Sequence, residues 1–258
     1  MSLNFCFIGA GNLATHLSFA LNKRAGSVIQ VYSRSVESAQ SLAKKLGTSF
    51  TTSIKEITPD ADVYFIALKD SVISDVLAEI DFQNKLVVHC SGSLSMTILK
   101  DFSLNHGVLY PLQTFSRMRS MDFAQIPVFI EANNTENQET LITLAREISG
   151  KVTTMDSAHR KSLHIAAVFA CNFVNHFYTL AAEFLDSQDI PFNVLHPLIM
   201  ETAMKVQEMP PKVAQTGPAV RFDESIINDH LQVLEKYPEK QALYNLISRS
   251  IFEHHQKK

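Results

Sequence analysis

The chain has little cysteine, no long run of one charge and no unbroken apolar stretch near the length of a membrane span, and each shortage narrows what it does. Its three cysteines, Cys6, Cys90 and Cys171, are an odd number with no C-x-x-C pair, and all sit in apolar segments where free thiols pack as small hydrophobes. No disulfide framework is expected, and the cysteines suit a reducing, cytoplasmic setting. The ten histidines include no H-E-x-x-H and no Cys/His cluster at zinc spacing, so no metal is expected. Lysine and arginine number 23 against 26 acidic residues, a formal net charge of -3, and basic residues run no further than pairs such as Lys44-Lys45. That leaves no electrostatic footprint for nucleic acid and favours a small-molecule partner. Apolar runs fall short of the roughly 20 residues a bilayer crossing needs, and no charged segment followed by a long hydrophobic one opens the chain. Neither a membrane span nor export is expected.

What is present describes a folded chain: 46% hydrophobic and 19% charged residues lie far from the composition of disorder. Its 258 residues suffice for two modest domains. β-rich runs over 4–8, 28–32, 63–68 and 86–90 alternate with helical patterns over 13–22, 36–46 and 72–80. Strand candidates over 108–110 and 127–131 then lead to a helix over 139–149 and a strand over 152–155. Such alternation predicts βαβ units in a doubly wound parallel sheet. Beyond Asp156 only helical spacing remains, over Ser157–Asp186, 194–208, 223–235 and 239–253, punctuated by Pro191, Pro210-Pro211, Gly217-Pro218 and Pro238. The fold class is therefore α/β, an N-terminal Rossmann domain over 1–155 followed by an all-α domain over 156–258. The 30-residue helix, roughly 45 Å long, is too long to bury itself in one small domain, so a homodimer through the C-terminal helices is expected.

The segment Phe5-Cys6-Phe7-Ile8-Gly9-Ala10-Gly11-Asn12-Leu13-Ala14 reads as strand, then G-x-G-x-x-A, then helix. Gly9 permits the tight turn, Gly11 lets a pyrophosphate approach the backbone, and Ala14 lets the helix pack on the sheet. The phosphates would sit on the N–H groups of Gly11, Asn12 and Leu13, where the helix dipole favours anions. At the end of the second strand, where an NAD-binding chain offers a carboxylate to the ribose, stand Ser33, Arg34 and Ser35. A guanidinium pairs with a 2′-phosphate that a carboxylate would repel, so NADP is favoured over NAD.

With Ala67-Leu68-Lys69-Asp70 added, the N-terminal half resembles pyrroline-5-carboxylate reductase and the deazaflavin-dependent NADP oxidoreductases, of the superfamily whose helical domain is like that of 6-phosphogluconate dehydrogenase. More narrowly, His89-Cys90-Ser91-Gly92-Ser93, Tyr110-Pro111-Leu112-Gln113-Thr114-Phe115, His164 with Asn172, and Thr216-Gly217-Pro218 with Arg221 and Asp223 look like a family of Rossmann-like proteins with a C-terminal domain of unknown function. The resemblance implies fold, cofactor class and a helix-mediated dimer, but no substrate. Val168 stands four residues before Asn172, where hydroxyacid dehydrogenases of this superfamily carry a lysine, so their mechanism does not transfer. No copy of the substrate motif of pyrroline-5-carboxylate reductase is found either.

In a doubly wound sheet the ligand lies at the carboxyl ends of the strands, which places Leu68, Lys69, Ser91 and Gly92 beside the cofactor and Gln113 and Thr114 beside a substrate. Hydride transfer to a carbonyl or imine needs a proton donor, and histidine is the side chain whose unperturbed pKa lies nearest neutrality. His164, in the apolar stretch 163–169, is the first candidate, with Asn172 two turns further on; a core histidine satisfied by a carbonyl explains it equally well. Arg221 is a candidate for a substrate carboxylate, or a structural partner of Asp223. A catalytically silent NADP sensor that signals through its dimer, and a transferase using another nucleotide ligand, are the rival readings.

Overall fold

The computed structural model describes residues 3–22 and 24–256. β1 (Leu3–Ile8), α1 (Asn12–Leu21), β2 (Gly26–Tyr32), α2 (Val36–Leu46) and a short strand β3 (Ser49–Thr51) come first. Next are β4 (Val63–Ile66), α3 (Ile73–Leu77), β5 (Leu86–His89) and β6 (His106–Pro111), then β7 (Val128–Ala132), α4 (Thr135–Arg146) and β8 (Val152–Thr154). The eight strands form one sheet in the order β3-β2-β1-β4-β5-β6-β7-β8. The first six are parallel and take the 3-2-1-4-5-6 order of a doubly wound dinucleotide fold.

Strand side chains alternate between faces, and the buried residues follow that rule. Phe5 and Phe7 of β1 and Val63 and Phe65 of β4 join the core that contains Leu17 and Leu21 of α1, Leu42 of α2 and Leu141 of α4. Cys6, Ile8, Tyr64 and Ile66 point to the other face, where Ile73, Val76 and Leu77 of α3 cover them. Both faces are dry, which is why these strands read as continuous apolar runs.

Two departures from the sequence reading bear on the site. β7 runs antiparallel to β6, so the sheet is mostly rather than wholly parallel. The segment between them has no crossover helix, and an antiparallel return leaves it as a long loop at the carboxyl edge. β3, three residues long, gave no periodic signal and was not expected.

The chain divides into two compact units, one ending at Cys171 and one starting at Asn172. The division anticipated near Asp156 marks the end of the β signal, whereas the first unit runs on through α5 (Ser157–Ala167). Arg160, fully buried, anchors α5: it pairs with Glu131 of β7 and donates from Nη2 to the Leu94 carbonyl at 2.6 Å and to Ser157 Oγ at 3.0 Å. Ser157 Oγ in turn donates to Glu131 Oε2 at 2.7 Å and accepts the Met96 N–H at 2.9 Å.

The long helix continues through a π-helical stretch, Val168–Phe173, into α6 (Val174–Asp186). Its 30 residues are long and apolar enough, by length and composition, to cross a bilayer. The expectation of no such segment rested on unbroken apolar runs, and here the apolar residues are interspersed with His and Asn. The second unit adds α7 (His196–Glu208), α8 (Pro211–Ala214), α9 (Pro218–Arg221), α10 (Glu224–Val233) and α11 (Pro238–Gln256). α8 and α9 start on prolines that read as stops, because proline fits the first helical turn as well as it ends a helix.

Candidate functional site

The glycine turn joins β1 to α1. Gly9 has φ +121°, its N–H bonds the Tyr32 carbonyl at 2.8 Å, and a Cβ there would lie 2.3 Å from the Ala67 carbonyl oxygen. Its glycine is a demand of the fold. Gly11 is different: a Cβ there would meet no atom within 4 Å, so no packing within the chain requires glycine. No side chain caps α1 and its first turn holds no acidic residue, so the N–H groups after Gly11 and the positive end of the dipole are left for an anion. Ala14 is fully buried against the sheet. These residues fit a dinucleotide pyrophosphate.

Ser33, Arg34 and Ser35 follow β2 directly. Ser35 caps α2 by accepting the Ser38 N–H, and Ser33 Oγ accepts the Ser35 N–H, both at 3.3 Å. Arg34 is exposed and has no ion-pair partner among the described residues. A free guanidinium beside a helix N-terminus suits a 2′-phosphate.

At the carboxyl ends of β4, β5 and β6 lies a cleft of about 280 Å³, lined among others by Leu13, Leu68, Ser91, Gly92, Tyr110, Gln113 and His164, all within the first unit. Arg160 holds α5 one turn below His164, and His164 Nδ1 lies 3.0 Å from the Tyr110 hydroxyl. Gly92 makes room for both: a Cβ there would lie 2.6 Å from His164 Nδ1 and 2.8 Å from Tyr110 Cζ. The glycine expected to admit a nicotinamide ribose thus already answers to the packing of this pair. Burial raises the Tyr110 phenol above its ordinary value, opposed by the Arg160 charge, so the hydroxyl stays protonated at neutral pH. His164 Nε2 has no hydrogen-bond partner among the described residues.

Ser91 is a hub of the turn. Its hydroxyl donates to Asp70 at 3.0 Å and accepts the N–H groups of Ser93 and Leu94 at 3.0 and 3.1 Å, which leaves it little capacity for a ligand. Lys69 makes no ion pair with Asp70. Gln113 Oε1 accepts the Thr114 N–H at 2.7 Å, and both residues are exposed. Asn12 does not face the anion path alone: its amide donates to the Phe115 carbonyl at 3.0 Å.

Asn172 and Arg221 belong to the second unit, and both are exposed. The Arg221–Asp223 pair does not form, and Asp223 instead caps α10 through the Ile226 N–H at 3.4 Å. Burial pushes the Cys90 thiol up to about 12, which rules out a resting thiolate there. Sequence reading missed Tyr110 and Arg160 as individuals. Tyr110 was visible only as part of a strand-end motif, and Arg160 only by its spacing of four residues from His164.

Strand order, glycine turn and cleft define a Rossmann-type α/β nucleotide-binding protein with a helical C-terminal region. Residues 4–92 match the family described as NADP oxidoreductase coenzyme F420-dependent, and residues 126–251 match a domain of unknown function, DUF2520. A Bacteroides fragilis protein, provisionally named an NADP oxidoreductase, is 48% identical over 98% of both chains with a TM-score of 0.94. The chain belongs to the family of that protein. At the level of fold, it is similar to a pyrroline-5-carboxylate reductase from Streptococcus pyogenes (14% identity, 98% of this chain and 99% of that one, TM-score 0.63). It is also similar to a Myxococcus stipitatus imine reductase in complex with NADP+ (15%, 98% and 93%, TM-score 0.66). Among proteins of curated function, none matches.

Proposed function

We propose that the chain is an NADP-dependent oxidoreductase acting on a small carbonyl, imine or hydroxy compound, with His164 as its proton donor. The observation that carries this reading is the His164–Tyr110 pair, which lines the same cleft as Leu13 of the first turn of α1. The names of the Bacteroides relative and of the matching N-terminal family support the reaction class, and the NADP+-bound imine reductase shows the fold accommodating that cofactor.

NADPH, when bound, supplies the hydride. Gly11 and the uncapped start of α1 hold the pyrophosphate, and Arg34 takes the 2′-phosphate. His164 Nε2–H would give its proton to the carbonyl oxygen or imine nitrogen of the substrate. In the protonated ring Nδ1–H donates to Tyr110 Oη; after transfer the neutral ring keeps its remaining proton on Nδ1, held by the same bond. Gln113 and Thr114 contact the substrate.

The apolar helical faces of the second unit pair with a second copy of the chain, and the three free cysteines suit the cytoplasm. Calorimetry tests the cofactor: NADPH should bind at least several-fold more tightly than NADH, and Arg34→Asp should reverse the order. Equal affinities in the unmodified protein would sink the assignment. A thermal-shift screen of the NADPH-saturated protein against carbonyl, imine and hydroxy compounds, followed by nicotinamide absorbance, identifies a substrate. On it, His164→Ala should leave NADPH affinity unchanged and lower turnover by roughly 10²–10⁴. A binder without turnover on any compound would mark a sensor instead.

A further inference from the structure

Outside the cleft, a second cavity of about 410 Å³ opens beside α1, and it shares no lining residue with the first. Thr15, His16 and Phe19 of α1 form one wall, and the loop between β6 and β7 forms the other. Four cations converge on it: Arg24, Lys45, Arg117 and Arg119. Its one carboxylate, Asp122, is engaged in capping its own turn, accepting the Ala124 N–H at 3.1 Å. None of the four cations is in an ion pair among the described residues, although the chain as a whole carries a net charge of -3.

Part of this clustering has a local reason, since Lys45 lies in the last turn of α2, where the helix dipole favours a cation. Arg117 and Arg119 have no such reason. The Arg117 guanidinium donates to the Ala10 carbonyl, and the loop is further tied to α1 by His16 Nε2 on the Ser116 carbonyl at 2.9 Å and by Asn12 on the Phe115 carbonyl at 3.0 Å. The loop therefore holds its arginines against α1, and one bond to Ala10 leaves most of the Arg117 fork unused. Like charges held together repel unless something neutralises them, and a concave site in which one sign outnumbers the other, here four cations to one carboxylate, attracts and concentrates counter-ions. The cavity lies in the size range of small-molecule sites, and a concave cluster on an acidic chain does not suit a nucleic-acid backbone.

We propose that this pocket is a second binding site, for a small ligand carrying two or more anionic groups, phosphate or carboxylate. It is distinct from the dinucleotide cleft, and Arg24, Lys45, Arg117 and Arg119 neutralise its ligand.

Pyrophosphate and citrate, in separate calorimetric titrations at low ionic strength, test it and distinguish phosphate from carboxylate recognition. At least one should bind at a single site, and Arg24→Glu with Lys45→Glu should weaken it tenfold or more. Arg119→Ala alone should weaken it severalfold, which keeps the test intact if the double variant misfolds. Lys55→Glu with Lys100→Glu, an equal change in net charge on exposed residues elsewhere, should leave binding unchanged. Neither anion binding, or equal loss in both double variants, would overturn the proposal. So would binding that survives the Arg24/Lys45 reversal but disappears in Gly11→Val, because that result places the anion on the glycine turn. These readouts need no turnover and stand whether or not the oxidoreductase reading holds.

Discussion

Among the described residues, every buried hydrophobic side chain except Ala219 and Ile227 lies in the unit that ends at Cys171. The helical unit that follows instead leaves Phe177, Leu198, Met200, Met204 and Leu246 exposed. The first unit wraps both faces of a sheet and closes its own core. A set of helices, each presenting an apolar stripe, needs another surface to cover it, and large exposed apolar patches mark sites of association. The contrast predicts that the sheet unit's stability rests on its interior and the helical unit's on assembly.

The largest effect should come from attacking that assembly. Light scattering of the unmodified chain should give twice its 28.9 kDa, and Leu198→Asp with Met204→Asp in α7 should return it to the mass of one chain. A monomer before any substitution would remove the contrast altogether. Within the sheet unit, Arg160→Ala should lower the denaturant-derived stability by roughly 3–5 kcal/mol, since it strands the Glu131 carboxylate where only 16% of that side chain is exposed. A loss below about 1 kcal/mol, the worth of a surface pair, would show that the network is a surface feature.

The two glycines of the turn should separate fold from function. Gly9→Ala adds a Cβ against the Ala67 carbonyl at φ +121° and should cost about 1–3 kcal/mol. Gly11→Val should change stability by no more than about 0.5 kcal/mol while lowering dinucleotide affinity at least tenfold, because its Cβ meets only open space. Thermal melts and NADPH titration read both.

The smallest effect is a slope. Burial first, and the Arg160 charge second, hold the His89 imidazole down to about 3, so the folded unit keeps it neutral while the unfolded chain protonates it near its ordinary value of 6.5. The unfolded state then binds the extra proton, and stability should fall with pH from about 6.5 toward 3, by up to about 1.4 kcal/mol per pH unit from this group. His89→Asn should flatten that slope whatever its effect on stability at neutral pH. An unchanged slope in urea melts across this range would show that His89 is not the group responsible.

The sequence by itself determined the βαβ order, the glycine turn and the helical second half, because each is a local signal: alternation of short apolar runs, small residues where a turn needs them, and apolar spacing of a helix. It also placed Arg34 and His164 as candidates, since both stand where chain order alone brings them near a strand end or a helix start. Tertiary structure alone decided the antiparallel return of β7, the burial of Arg160 on Glu131, the meeting of His164 with Tyr110 over Gly92, and the gathering of Arg24, Lys45, Arg117 and Arg119. Glu131 and Arg160 lie 29 residues apart, Tyr110 and His164 54, and Arg24 and Arg119 95. No periodic pattern links positions that far apart. Their contacts arise only when the sheet sets the strand ends side by side and the loop after β6 is laid along α1.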